Sequence, residues 1–182
     1  MDFPAQWAAW LGFSEQFQDL PYLAQRHWAL LAPEFKPDEF TVRKRCHLFG
    51  AAAHDDMNPL ILARICCWRR YLGHPCIVST SYTPPQLGGH STGSQHYKGR
   101  AVDVIVPGIS LLDVYLAAER FGFPGIGVYT WWKLRGRQVG GLHLDERQET
   151  PARWASPAEG EYVALDAQWI RVNINGLAEE RS

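Results

Sequence analysis

The chain has 182 residues and a formal net charge of −1, with 46% apolar and 20% charged residues. This composition is typical of a globular protein, and one domain is the first expectation at this length. The balanced charge gives no case for nucleic-acid binding, whose usual footprint is a basic stripe. No stretch approaches the ~18 consecutive apolar residues of a membrane span, so we expect no membrane insertion.

Residues 1–34 are predicted to form a helical extension that packs on the main domain. Apolar residues from Trp7 to Leu31 recur at helical spacing, and Pro21 is expected to divide the region in two. The first residues lack the basic start and long apolar stretch of a signal peptide, so we expect synthesis in the cytoplasm. The four cysteines form no Cys-x-x-Cys pair, which favours reduced thiols.

A well-marked helix follows a mostly irregular segment at residues 32–57. Asn58 is a suitable N-cap, Pro59 suits the first turn, and Gly73 is a suitable end. Between them, apolar residues recur at spacings of four, three and four: Ile61, Ile65, Trp68 and Leu72. The next segment, "CIVST", predicts a short buried strand, and residues 81–95 predict a long loop of a length that is often functional.

The second half of the chain predicts three further strands around a second helix. Strands are indicated by "RAVDVIV", "GIGVYT" and "GLHLDE", and Ser110 with Asp113 forms a capping box for the helix. "WWKLRGRQVG" predicts a hairpin, and "EYVALDAQWIRVNI" is expected to add one or two edge strands. This order predicts an α+β domain with a small, mainly antiparallel sheet and helices packed on one side.

Two of these strands direct polar groups from otherwise apolar elements. Side chains alternate along a strand, so Asp103 lies opposite the valines of "AVDVIV", and His143 shares a face with Asp145. His96 lies just before the first strand, where Gly99 allows a turn. Two histidines and one carboxylate, with a fourth position left for water, make a catalytic zinc arrangement.

Ordinary structural roles remain open from spacing alone. Asp103 could pair with Arg100 or Lys98, and His143 with Asp145 could be a polar pair at a strand end. A single histidine on a strand is more often a satisfied core residue than a metal ligand.

The same residues carry a resemblance to a known family. "SQHYKGRAVDV" resembles the Ser-x-His-x-x-Gly-x-Ala-x-Asp motif of the M15 zinc peptidases, which include D-alanyl-D-alanine carboxypeptidases, murein endopeptidases and phage endolysins. "FKPDEF", "GIGVY", "LHLDER" and "ARW" extend the similarity over roughly residues 35 to 154. The resemblance implies the Hedgehog-type fold and a peptidase domain at 35–182 that includes the C-terminal edge strands.

The resemblance also implies a function and a set of site residues. His96, Asp103 and His143 would hold one Zn²⁺ per chain, and the substrates would be peptidoglycan stem or cross-link peptides that contain D-amino acids. Gly140 stands where many members carry an acidic base, so Asp145 becomes the candidate base. Thr83 stands where many members carry an oxyanion-stabilising arginine, and the candidate substitutes are His90, Arg135 and Arg137.

Further expectations concern the substrate and the setting. Substrate contacts are expected from Ser94, His90, Arg137 and Trp131, and Trp131 with Trp132 could equally be packing residues. We expect a monomer that acts on the cell wall after release, as a phage or prophage lysin does. The alternatives are a zinc-binding module of the same fold that has lost catalysis, and a purely structural phage protein.

Overall fold

The computed structural model describes residues 32–40 and 57–174, and the helices predicted within residues 5–31 lie outside them. The described residues form three α-helices: α1 (Pro59–Leu72), α2 (Leu111–Arg120) and α3 (Ala167–Asn173). They also form eight strands: β1 (Ile77–Thr80), β2 (Ala101–Ile105), β3 (Gly125–Tyr129), β4 (Lys133–Leu134), β5 (Arg137–Gln138), β6 (Gly141–Asp145), β7 (Ala152–Ser156) and β8 (Val163–Ala164). Short 3₁₀ turns occupy Pro37–Glu39, Pro85–Leu87 and Gln95–Lys98.

The ends of α1 and the start of α2 are set by local side chains, as predicted. The Asn58 side chain accepts a hydrogen bond from the backbone N–H of Leu60 at 2.9 Å, and Gly73 ends α1 in the left-handed region at φ 65°. The Ser110 hydroxyl accepts from the backbone N–H of Asp113 at 3.1 Å at the start of α2. These caps satisfy backbone groups that a helix end otherwise leaves unpaired.

Six strands form one sheet in the order β1-β2-β6-β3-β7-β8, and β4 pairs with β5 in a separate hairpin. Neighbours in the large sheet are antiparallel except β3 and β7, which run parallel. The predicted α+β class with a mainly antiparallel sheet is therefore confirmed. No helix in the described part of the chain is long and apolar enough to cross a membrane.

The two faces of the sheet differ in chemistry. One face is apolar and packs with α1 and α2 into a single core, to which β2, β3 and β6 contribute Val102, Val104, Ile126, Val128, Leu142 and Leu144. Because side chains alternate, the opposite face of the same three strands carries Asp103, Gly125, Gly127, His143 and Asp145. Burial of the apolar face in the core therefore determines that these polar residues lie on the opposite face of the sheet.

The C-terminal part differs from the prediction in two places. Strand β8 is the one edge strand of this segment, within the expected one or two, whereas residues 167–173 form α3, a helix that was not predicted. Asp166 accepts a hydrogen bond from the backbone N–H of Trp169 at 2.7 Å, and Trp169 packs against the core, so a capped and anchored helix is favoured. Strand β7, which the sequence did not predict, exists through its parallel pairing with β3, a contact distant along the chain.

A buried ion pair connects α1 to the end of β6 on the core side. Arg64, which is 9% exposed, forms a salt bridge with Glu146, and its Nη1 donates to the carbonyls of Phe121 and Gly122 at 2.9 and 2.6 Å. Removing one member of such a pair leaves the other charge buried without compensation.

The variant Arg64→Met is therefore expected to lower the free energy of unfolding by about 3–5 kcal/mol, measured by urea denaturation. Arg70→Met is the matched control, because Arg70 pairs with Glu34 at the exposed surface and its loss should cost less than about 1 kcal/mol. Equal unfolding midpoints for the two variants would contradict a stabilising role for the buried pair.

Candidate metal centre

Three side chains meet on the polar face of the sheet. His96 comes from the turn Gln95–Lys98, Asp103 from β2 and His143 from β6, where His143 lies directly opposite Asp103 in the strand register. The Oδ1 atom of Asp103 lies 3.2 Å from Nε2 of His96 and 3.0 Å from Nδ1 of His143, and these two nitrogens are 3.1 Å apart. All three residues are buried.

The turn before β2 brings His96 to this point. Ser94 caps the turn by accepting a hydrogen bond from the backbone N–H of His96 at 3.3 Å. Gly99 then takes a left-handed conformation at φ 65°, which residues other than glycine rarely adopt, and the chain reverses into β2. The spacing of seven residues between His96 and Asp103 therefore becomes a contact.

The far nitrogen of each histidine has an acceptor of its own. His96 Nδ1 lies 2.8 Å from the carbonyl oxygen of Ser81, and His143 Nε2 lies 3.0 Å from Oδ2 of Asp145. Because both partners are acceptors, His96 Nδ1 and His143 Nε2 must each carry the N–H of the neutral ring, which assigns the tautomers. In these tautomers, His96 Nε2 and His143 Nδ1 present lone pairs toward Asp103. Three electron-pair donors that face one another favour a proton or a metal ion between them, and such outer partners are typical of metal-bound histidines.

The pKa shifts of the buried groups are in the direction that favours positive charge at this point. Burial by itself lowers the pKa of His143, but its hydrogen bonds to Asp103 and Asp145 outweigh burial and raise that pKa to about 9. Burial likewise raises the pKa of Asp103, yet His96 and His143 outweigh it and hold that pKa well below its usual range. A proton satisfies the site in the absence of a metal, and a metal ion would replace it.

The geometry of the three donors fits zinc. Three ligand atoms at 2.0–2.2 Å from a tetrahedral zinc lie roughly 3.3–3.6 Å from one another. The observed separations of 3.0–3.2 Å are only a few tenths of an ångström shorter. Two imidazole nitrogens and one carboxylate oxygen also match the donor set of catalytic zinc sites, which keep a fourth position open.

Asp145, expected from the sequence to be the general base, lies behind His143. Its side chain is fully buried, and its carboxylate accepts hydrogen bonds from the Arg147 backbone N–H at 3.0 Å and from the Arg147 guanidinium at 2.6–3.2 Å. Burial raises the pKa of Asp145, but Arg147 and His143 outweigh it and hold that pKa well below its usual range. The carboxylate is thus ionised and fully occupied by its neighbours.

Two glycines of β3 make room for this arrangement. A Cβ atom on Gly125 would lie 2.2 Å from both carboxylate oxygens of Asp145, and one on Gly127 would lie 2.4 Å from the indole of Trp154. The Trp154 ring in turn packs against His143 with centroids 5.1 Å apart. Only a residue without a side chain permits such close approach.

The three donors open into a cleft of about 1450 Å³ between the loop at 81–95 and the β3–β5 region. Four residues were expected to contact substrate. Three of them line the cleft, namely His90, Ser94 and Trp131, whereas Arg137 lies outside the lining and is exposed on β5. Arg135 also lies outside the cleft lining.

Several residues of the cleft were not singled out from the sequence, and three of them make contacts with other aromatic or charged side chains. These are Tyr129, Arg147 and Trp154. Tyr129 stacks on Trp132 with centroids 4.4 Å apart, and Arg147 lies over the Trp154 ring at 5.2 Å. The alternation of side chains along a strand could have identified two of them. Tyr129 shares its strand face with Gly125 and Gly127, and Arg147 follows Asp145 by two residues.

Comparison with known proteins adds one match. The family model described as Peptidase M15 matches residues 33–134, a span that holds His96 and Asp103 and ends before His143. Neither the curated proteins nor the solved structures give a match. The match covers more than half of the chain, and the described fold agrees with it. The chain therefore belongs to the Peptidase M15 family.

Proposed function

We propose that this protein is a zinc-dependent peptidase that hydrolyses peptide bonds in peptidoglycan stem or cross-link peptides, with D-amino acids on at least one side of the bond. The observation that carries the proposal is the convergence of three electron-pair donors, one each from His96, Asp103 and His143, at an open cleft. Membership of the Peptidase M15 family supports the peptidase class. The resemblance in the motif "SQHYKGRAVDV" supports the peptidoglycan substrate.

Zinc bound at this point would supply Lewis-acid chemistry, which polarises a carbonyl and lowers the pKa of a coordinated water. His96, Asp103 and His143 would hold the ion. Asp145 is assigned a positioning role in place of the general-base role, because its carboxylate accepts the His143 Nε2–H and its oxygens are also bonded to Arg147. Arg147 neutralises Asp145 and fixes its orientation.

The cleft accommodates an extended peptide rather than a single amino acid. Its volume of about 1450 Å³ exceeds the roughly 300–1,000 Å³ of a typical small-molecule pocket. Its lining includes aromatic side chains and small hydroxyl-bearing residues, among them Ser79, Thr80, Ser91 and Ser94. Apolar faces suit alanine methyl groups, and hydroxyls suit the peptide backbone.

The function is tested by digestion of purified peptidoglycan fragments followed by mass spectrometry. The zinc-loaded protein is expected to release new peptides, the chelator-treated protein to release none, and zinc addition to restore the digestion. If the zinc-loaded protein cuts neither stem peptides nor cross-links, the proposed substrate is wrong. The masses of the products identify the bond and separate carboxypeptidase from endopeptidase action.

One observation favours the second candidate, a zinc-binding module of the same fold without catalysis. Asp145 is the only carboxylate that the sequence offered as a base, and its hydrogen bonds are all directed to His143 and Arg147. One zinc ion per chain together with no digestion of any fragment would support this candidate. Digestion that depends on zinc would exclude it.

A further inference from the structure

A third imidazole lies against the metal centre without belonging to it. The ring of His90 stacks on the ring of His96 with centroids 4.5 Å apart and an interplanar angle of 19°. His90 is half-buried and lines the same cleft as the three metal-binding candidates. It is not one of the three residues whose ligand atoms converge. Its position is therefore beside the place where a substrate would meet the metal.

The structure holds the backbone of His90 at this place through Tyr97. The backbone N–H of His90 donates to the Tyr97 hydroxyl at 3.2 Å, and that hydroxyl donates to the His90 carbonyl at 3.1 Å. Tyr97 directly follows His96 in the turn that carries this candidate ligand. The loop residue is thus tied to the same turn as the metal centre, which fixes the relative positions of the two imidazoles.

The His90 side chain is oriented by a second contact. Its Nε2 lies 3.4 Å from the hydroxyl of Thr83, and the ring meets Tyr97 edge-on with centroids 5.6 Å apart. A ring that is stacked on one side, bounded on its edge and hydrogen-bonded has few rotamers to lose. Hydrogen-bond donors of this kind, ordered before the reaction, are those that stabilise developing charge well.

We propose that His90 is a catalytic residue that donates a hydrogen bond from its ring to the oxygen of the scissile carbonyl as negative charge develops there. This inference rests on the proposed peptidase function. The role requires neither a change in the charge of His90 nor a bond between His90 and the metal.

Four other residues considered for this role are less suitable. Arg135 and Arg137, which the sequence offered as alternatives, do not line the cleft. Arg147 lines it, but its Nε and Nη2 are directed to the carboxylate of Asp145. Thr83 does not line the cleft, and its hydroxyl lies 3.4 Å from Nε2 of His90.

The test compares His90→Ala with wild-type protein, and His74→Ala is the matched control because His74 lies outside the cleft lining. Three quantities are measured: zinc per chain, kcat and KM on a peptide that wild type cleaves, and calorimetric affinity for the phosphinate isostere of that peptide. The phosphinate imitates the charged tetrahedral state. We expect His90→Ala to retain one zinc, to lose about 10²–10³-fold in kcat with little change in KM, and to bind the phosphinate similarly more weakly.

Any of three other results for His90→Ala would overturn the inference. Loss of zinc in His90→Ala would make His90 a ligand or a support of one. Lower kcat with unchanged phosphinate affinity would assign it to proton transfer, and unchanged kcat would remove it from catalysis. His90→Gln, which keeps an N–H donor, should recover part of the phosphinate affinity. If wild-type protein cleaves no peptide, the proposed function fails first, and that outcome is seen before any variant is compared.

Discussion

Asp103→Asn is expected to abolish stoichiometric zinc binding and with it the peptidase activity. The carboxylate is the only negatively charged member of the three-donor set, and Oδ1 lies 3.0–3.2 Å from both partner nitrogens. Loss of an outer hydrogen-bond partner of a ligand already costs about 10–100-fold in metal affinity, so loss of the charged ligand should cost more than about 100-fold. Zinc per chain, measured by atomic absorption after gel filtration, should fall from one to near zero.

Asp113→Asn provides the matched control for this substitution. It makes the same chemical change at an exposed position in the first turn of α2, and Asp113 does not line the cleft. It should leave zinc content and activity unchanged. A normal zinc content in Asp103→Asn would show that the metal centre has been assigned to the wrong residues.

Gly125→Ala is expected to weaken zinc binding although Gly125 contributes no ligand atom. The added methyl group would lie 2.2 Å from both oxygens of Asp145, a separation that requires a shift. Asp145 is fully buried and bonded to both His143 and Arg147, so moving it releases the Nε2–H of His143 from its acceptor. Loss of that partner should lower zinc affinity by about 10–100-fold, measured by competition with a chromophoric chelator.

Gly93→Ala is the control for the glycine substitution. Gly93 lies on the loop that borders the cleft, and a Cβ atom there would meet nothing within 4 Å. Its zinc affinity and thermal midpoint should equal those of the wild type. Equal zinc affinities for Gly125→Ala and Gly93→Ala would mean that the Asp145–His143 contact does not support the metal centre.

Local signals in the sequence predicted most of the central elements. Helix α1 begins and ends at the residues expected from Asn58 and Gly73, and α2 begins at the Ser110 cap. These elements are encoded by neighbours within four residues, because caps and helical periodicity are short-range properties. The alternation in "AVDVIV" and "LHLDE" likewise placed the polar side chains on one face before any pairing was known.

Contacts between distant segments could not be predicted in the same way. Strand β7 forms because it pairs with β3 about 25 residues away, and α3 is held by packing of Trp169 on a core assembled from the whole domain. Lys98, one of the partners considered for Asp103, pairs instead with Glu149 at 2.8 Å. Such partners depend on which surfaces meet, and one sequence without its fold does not specify that.

The sequence by itself determined the apolar and polar faces of the central strands, the capped helices and the residue types of the candidate metal centre. Only the tertiary structure decided how those residues act. Pairing of β2 with β6 brings Asp103 opposite His143, and the backbone of Ser81 and the carboxylate of Asp145 then set which nitrogen of each histidine faces the metal position. The reason is physical: ligand type is a property of one residue, whereas lone-pair direction depends on hydrogen-bond partners that folding brings together.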